Sequence, residues 1–124
     1  MTINTTNAEH YVWGEVCDGW RLLARGDLTV TQERIPPARG EMEHYHRKAR
    51  QLFFVLEGSL TIAIESDTFQ LRKGDSLEVP PTTRHRVWNN GTKDAHFLVI
   101  SVPTTWDDRV DVSKSMAMPG RGSP

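Results

Sequence analysis

Residues 41–60 read EMEHYHRKARQLFFVLEGSL. Two histidines, His44 and His46, stand one residue apart, and Gln51, an apolar run and Gly58 follow. On a β-strand, residues i and i+2 project to the same face, so His44 and His46 point together while Tyr45 points away. Two imidazoles on one inward face make half of a transition-metal site. Gln51 comes five residues after His46, which leaves room to turn and begin the next strand. From there its amide oxygen can join the pair. The same stretch also fits a basic loop, because Arg47, Lys48 and Arg50 surround it.

Outward from this stretch, the chain is a series of short apolar runs separated by turn residues, with no convincing helix. Strands are expected over 20–24, 28–35, 52–57, 59–65, 68–71, 76–79, 85–89 and 96–102. Several alternate with period two, as in Leu60, Ile62 and Ile64 against Thr61, Ala63 and Glu65. The turns EGS (57–59), KGD (73–75) and NNGTKD (89–94), with PP at 36–37 and 80–81, punctuate them. About eight short strands at this spacing imply an all-β fold, a barrel or jelly roll whose closure removes exposed sheet edges. We divide the chain into an N-terminal extension (1–19), the barrel (20–106) and a flexible C-terminal tail (107–124), where the alternation fades.

With 124 residues the chain makes one domain. A net charge of −1 gives no electrostatic reason to expect nucleic acid or an acidic membrane as partner. No apolar run reaches the ~18 residues of a membrane span, and the polar start MTINTTNAEH is unlike a signal peptide, so a cytoplasmic location is expected. Cys17 is the one cysteine, which excludes an internal disulfide or a thiolate zinc cluster; it reads as a small buried residue.

His85 offers a third imidazole, at the start of the strand that follows PPTT. The first stretch reads H-x-H-x4-Q-x6-G, ending at Gly58. The second, from Gly74, reads G-x5-P-x-T-x2-H-x3-N, through Pro80, Thr82 and His85 to Asn89. Together they resemble the two signature motifs of the cupin superfamily, G-x5-H-x-H-x3,4-E-x6-G and G-x5-P-x-G-x2-H-x3-N. The resemblance covers roughly residues 20–103. It implies a double-stranded β-helix, a jelly-roll barrel that binds one metal ion through His44, His46, Gln51 and His85. There are three departures. Gly40 precedes His44 by four residues instead of six, Thr82 replaces a glycine, and Gln51 replaces the usual glutamate.

The neutral Gln51 leaves the full double charge on a divalent ion, making it a stronger Lewis acid. Loss of a carboxylate favours Zn, Ni, Fe or Cu over Mn and Mg. Gln51 cannot act as a general base, so proton transfer needs another residue. Cupin-like registration puts Thr31, Glu33 and Ile35 inward, and Glu33 becomes the candidate acid/base. The alternative is an exposed strand glutamate paired with an arginine. Met42 shares parity with His44 and His46, and Phe53 and Val55 share it with Gln51. On the last strand His96, Leu98 and Ile100 are expected to line the same cavity, with His96 as a second polar candidate or a rim histidine.

Trp88 has the opposite parity to His85 and is expected to face outward, covered by an N-terminal segment or a second subunit; a homodimer is the expected state. The resemblance implies a metal-dependent enzyme acting on an oxygenated small-molecule substrate by isomerase, cyclase or lyase chemistry. A neutral-glutamine site resembles those of polyketide cyclases and small sugar-acid-processing cupins, although HFLVIS (96–101) lacks a carboxylate that would favour the latter. A metal-dependent dioxygenase and a non-catalytic ligand or metal sensor are the alternatives. Histidines bind metal only when neutral, so affinity is expected to fall below about pH 6.

Overall fold

The structure, a computed structural model, describes residues 1–112. Among the described residues, eleven strands form two antiparallel sheets. In chain order they are β1 (Glu9–Trp13), β2 (Cys17–Ala24), β3 (Thr29–Ile35), β4 (His44–His46), β5 (Arg50–Glu57), β6 (Ser59–Ile64), β7 (Asp67–Arg72), β8 (Ser76–Val79), β9 (His85–Trp88), β10 (Ala95–Val102) and β11 (Arg109–Asp111). The six-stranded sheet runs β1-β2-β3-β10-β5-β8 and the five-stranded sheet runs β11-β4-β9-β6-β7. Side chains from the inner faces meet in one core that includes Phe53, Phe97, Ile35, Leu60, Ile62 and Val87.

Alternation explains most of these placements. Gln51, Phe53 and Val55 on β5 are buried, while Leu52 and Phe54 between them are not fully so. The chain then passes from one sheet to the other through a single residue, Gly58, at φ 75°. A Cβ there would lie 2.3 Å from the Asp94 carbonyl oxygen, so this corner needs glycine for both conformation and space.

Three expectations are corrected. First, the sheets extend beyond residues 20–106. β1 and the start of β2 belong to the larger sheet, and Trp13 and Cys17 sit in the core. Only five residues long, β1 carries too little alternation to stand out in sequence. Second, β11 falls inside the expected flexible tail but pairs with β4, Arg109 opposite His46 and Asp111 opposite His44. Polar bonds hold this segment, and a hydrophobic pattern does not register them. The rest of that expected tail, 113–124, lies outside the described residues.

Third, β10 has the reverse parity. Ala95, Phe97, Val99 and Ser101 are buried, and His96, Leu98 and Ile100 are half-buried on the opposite face. AHFLVISV is apolar on both sides, so periodicity alone cannot choose its inward face. Cross-strand register chooses it: Phe97 pairs with Glu33 and Val55, and Ser101 with Gln51. His96, Leu98 and Ile100 therefore do not line the interior.

Candidate metal centre

β4 and β9 lie side by side with His44 opposite His85. The alternation of β4 turns His44 and His46 inward together, both buried. The β9 strand begins after a tight turn in which Thr82 takes φ 62° and donates its N–H to the His46 carbonyl at 2.6 Å. That bond ties the start of the second motif to the end of the first. The three imidazoles cluster, with ring centroids 4.3 Å apart for His44–His85, 5.0 Å for His44–His46 and 5.7 Å for His46–His85. One nitrogen from each lies within 4.8 Å of the others. Gln51 lies near His85.

Hydrogen bonds set the tautomers. His44 Nδ1 lies 3.0 Å from the Met42 carbonyl oxygen, and His85 Nδ1 lies 2.9 Å from that of Thr83. A carbonyl can only accept, so each Nδ1 carries the proton and each Nε2 keeps a lone pair. His44 Nε2, His85 Nε2 and Gln51 Oε1 are all buried without a hydrogen-bond partner. Buried acceptors left in this state are costly unless a cation receives them. This donor set fits a transition metal, with His46 as a further imidazole.

Electrostatics agree. Burial lowers the His44 pKa well below its usual value, and Arg109 and His85 add to this. Burial likewise lowers His85 to about 4, against the pull of the Thr83 carbonyl. Both rings are thus neutral and ligand-ready near pH 7. Behind His44, Glu41 is 4% exposed and its Oε2 lies 3.6 Å from His44 Nδ1. Burial raises the Glu41 carboxyl well above the ordinary range, while the Arg109 guanidinium, 3.3 Å away, opposes the rise. Asp108 binds the loop that follows His46. Its carboxylate accepts the N–H of Arg47 at 3.0 Å, of Lys48 at 3.1 Å and of Ala49 at 2.9 Å.

A cavity of ≈ 400 Å³ adjoins this centre and shares Gln51 with it. Tyr11, Arg21, Thr31, Val99 and Ser101 are among its other lining residues. Phe53 and Val55 pack in the core, Phe53 meeting the His85 ring edge-on at 6.3 Å between centroids. Met42 is half-buried, and its carbonyl orients His44. Glu33 is fully buried, not an exposed strand residue, and accepts the Tyr11 O–H at 2.6 Å. Cys17 is buried, and burial pushes its thiol up to about 12, which leaves it inert.

Sequence reasoning missed Ser101, Tyr11, Glu41, Asp108 and Arg109. For Ser101 a signal exists: it is the one polar residue in the series Ala95, Phe97, Val99, Ser101. The others act across 22 to 68 residues of chain, and no local pattern links such partners.

The sequence profile described as Cupin domain matches residues 22–101. The chain belongs to the cupin family. Among curated relatives, this cupin is 28% identical over 75 residues to the uncharacterised protein MJ1618 of Methanocaldococcus jannaschii, covering 60% of each chain. It is 36% identical over 56 residues to the polyketide synthase protein CurC of Streptomyces cyaneus, covering 45% of this chain and 36% of CurC. It is 33% identical over 76 residues to quercetin 2,3-dioxygenase of Bacillus subtilis, covering 60% of this chain and 23% of that enzyme. The cupin thus spans less than two thirds of these relatives. The solved structure of KdgF from Halomonas sp. superposes with a TM-score of 0.77 at 15% identity, over 84% of this chain and 94% of that one, which shows a shared fold.

Proposed function

We propose that this cupin is a metal-dependent enzyme for isomerase, cyclase or lyase chemistry on an oxygenated small molecule. The observation that carries the reading is the set of three buried lone pairs, on His44 Nε2, His85 Nε2 and Gln51 Oε1, beside a cavity of ≈ 400 Å³. A divalent ion held by His44, His46, His85 and Gln51 would supply Lewis-acid polarisation of a substrate oxygen. Because Gln51 brings no charge, none of the four ligands weakens that polarisation by neutralising the ion.

The chain's own residues supply the rest. Thr31, Ser101 and Tyr11 offer hydroxyls along the cavity wall, and Val99 offers an apolar surface, a mixture suited to a small organic molecule. Glu33, buried and accepting the Tyr11 O–H, is the candidate proton acceptor. The likeness to CurC, a polyketide synthase protein, supports a substrate of the polyketide kind.

Reconstitution with zinc and with iron, followed by activity screening on polyketide and hydroxy-keto substrates with and without air, tests this reading. Zinc-supported turnover without O₂ is expected. The second reading, a dioxygenase, rests on the likeness to quercetin 2,3-dioxygenase. It requires O₂ consumption with iron and no turnover with zinc.

A further inference from the structure

Glu33 has no exposed surface, yet proton transfer requires contact with a ligand. Tyr11 closes that gap. Its side chain lines the same cavity as Gln51, and its hydroxyl donates to Glu33 Oε2 at 2.6 Å. The contact bridges two strands, since Tyr11 on β1 reaches across β2 to β3.

Gly19 makes the reach possible. It is paired with both Tyr11 and Glu33, and a Cβ at position 19 would lie 2.2 Å from Tyr11 Cζ. The phenol ring therefore occupies the space that any larger residue would fill. Arg21 holds the ring as well, its guanidinium carbon 4.2 Å from the ring centroid. A tyrosine needed only for packing would not require a hydroxyl joined to a fully buried carboxylate.

We propose that Tyr11 is the residue that exchanges protons with the bound ligand, with Glu33 as the acceptor behind it. This rests on the metal-assisted proton-transfer reading above. For a ligand C–H next to a carbonyl, the phenol oxygen takes the ligand proton as the phenol's own proton passes to Glu33 Oε2. The C–H electron pair stays on the ligand as an enolate, and Glu33 becomes a carboxylic acid. The return runs in reverse through Tyr11. The proton goes to a different carbon in an isomerisation, or to a departing hydroxyl, released as water, in an elimination.

The test follows α-proton exchange of pyruvate and dihydroxyacetone in D₂O by NMR with zinc-loaded protein, metal content being measured in each variant. The wild type should exchange, and Tyr11→Phe and Glu33→Gln should each lose about 100-fold or more with zinc content unchanged. Gly19→Ala, which keeps the phenol but displaces it, should lose exchange as well. Glutamine at 33 can still accept the phenol's hydrogen bond but cannot take its proton, so it separates relay from mere positioning. In metal-free protein, the ultraviolet difference between wild type and Tyr11→Phe isolates one of only two tyrosines, and its spectrum should shift in Glu33→Gln. Wild-type exchange in Tyr11→Phe overturns the assignment of Tyr11. Loss in Tyr11→Phe with full exchange in Glu33→Gln overturns the relay. No zinc-dependent exchange in the wild type overturns the proton-transfer reading itself.

Discussion

Gln51 donates from Nε2 to Ser101 Oγ at 3.1 Å, and this bond decides which end of the amide is left for an ion. The NH₂ group can only donate, so its engagement by Ser101 leaves Oε1 as the open acceptor. Ser101 stands directly opposite Gln51 in the β10–β5 register, a cross-strand pair with one task.

Ser101→Ala removes the anchor and lets the amide rotate its nitrogen toward the histidines. Metal affinity should fall about 10- to 100-fold, the usual scale for losing a residue that orients a ligand. Competition with a chromophoric chelator measures it, and unchanged affinity would mean that Gln51 takes no part in the site.

Acid sensitivity should trace to the histidines. Unfolded histidine titrates near 6.5, whereas burial holds His85 at about 4 and His44 well below its usual value. Between those values the unfolded chain binds more protons, so their contribution to stability is lost as pH falls through that window. Glu41 has the opposite sign, because its raised pKa favours proton binding in the folded state. Comparing metal-free wild type with His85→Gln cancels the Glu41 contribution. Denaturant titrations at pH 7 and 4 should show the wild type losing about 3 kcal/mol more than the variant. The depressed pKa also revises the expectation of metal loss below about pH 6. Protons compete for His85 only near pH 4, so bound metal should survive dialysis at pH 5.5.

Asp108 pins the C-terminal segment to the loop after His46. Burial alone would raise its carboxyl, but the N–H groups of Ala49, Lys48 and Arg47 outweigh this and hold it below the ordinary range. Asp108→Ala leaves those N–H groups without their acceptor and should cost about 3 kcal/mol, read from the urea midpoint. A change under about 0.5 kcal/mol would show that water replaces the carboxylate without loss.

Thr82 sits in a left-handed conformation that costs a non-glycine residue about 1–2 kcal/mol. Thr82→Gly relieves it and keeps the N–H bond to His46, at the expense of a more flexible unfolded chain. A net gain of about 0.5–1 kcal/mol is expected in thermal unfolding. Destabilisation instead would mean that the bond from the Thr82 hydroxyl to the Pro81 carbonyl outweighs the strain.

The histidine cluster was legible in the sequence because His44, His46 and His85 lie in two short stretches, each carrying its own geometry. His-x-His on a strand shares a face whatever the strand pairs with. Gln51, Phe53 and Val55 alternate against exposed or half-buried neighbours, and Gly58 marks a corner where no Cβ fits. Those features depend on local backbone period and local sterics. What surrounds this cluster depended on the tertiary structure. β10 is apolar on both faces, so only its register with β3 and β5 turned Ser101 inward and His96 outward. Tyr11 meets Glu33 from 22 residues away, and Arg109 meets Glu41 from 68. Hydrogen bonds between such distant partners leave no periodic trace in a chain, and they form only once the sheets have packed.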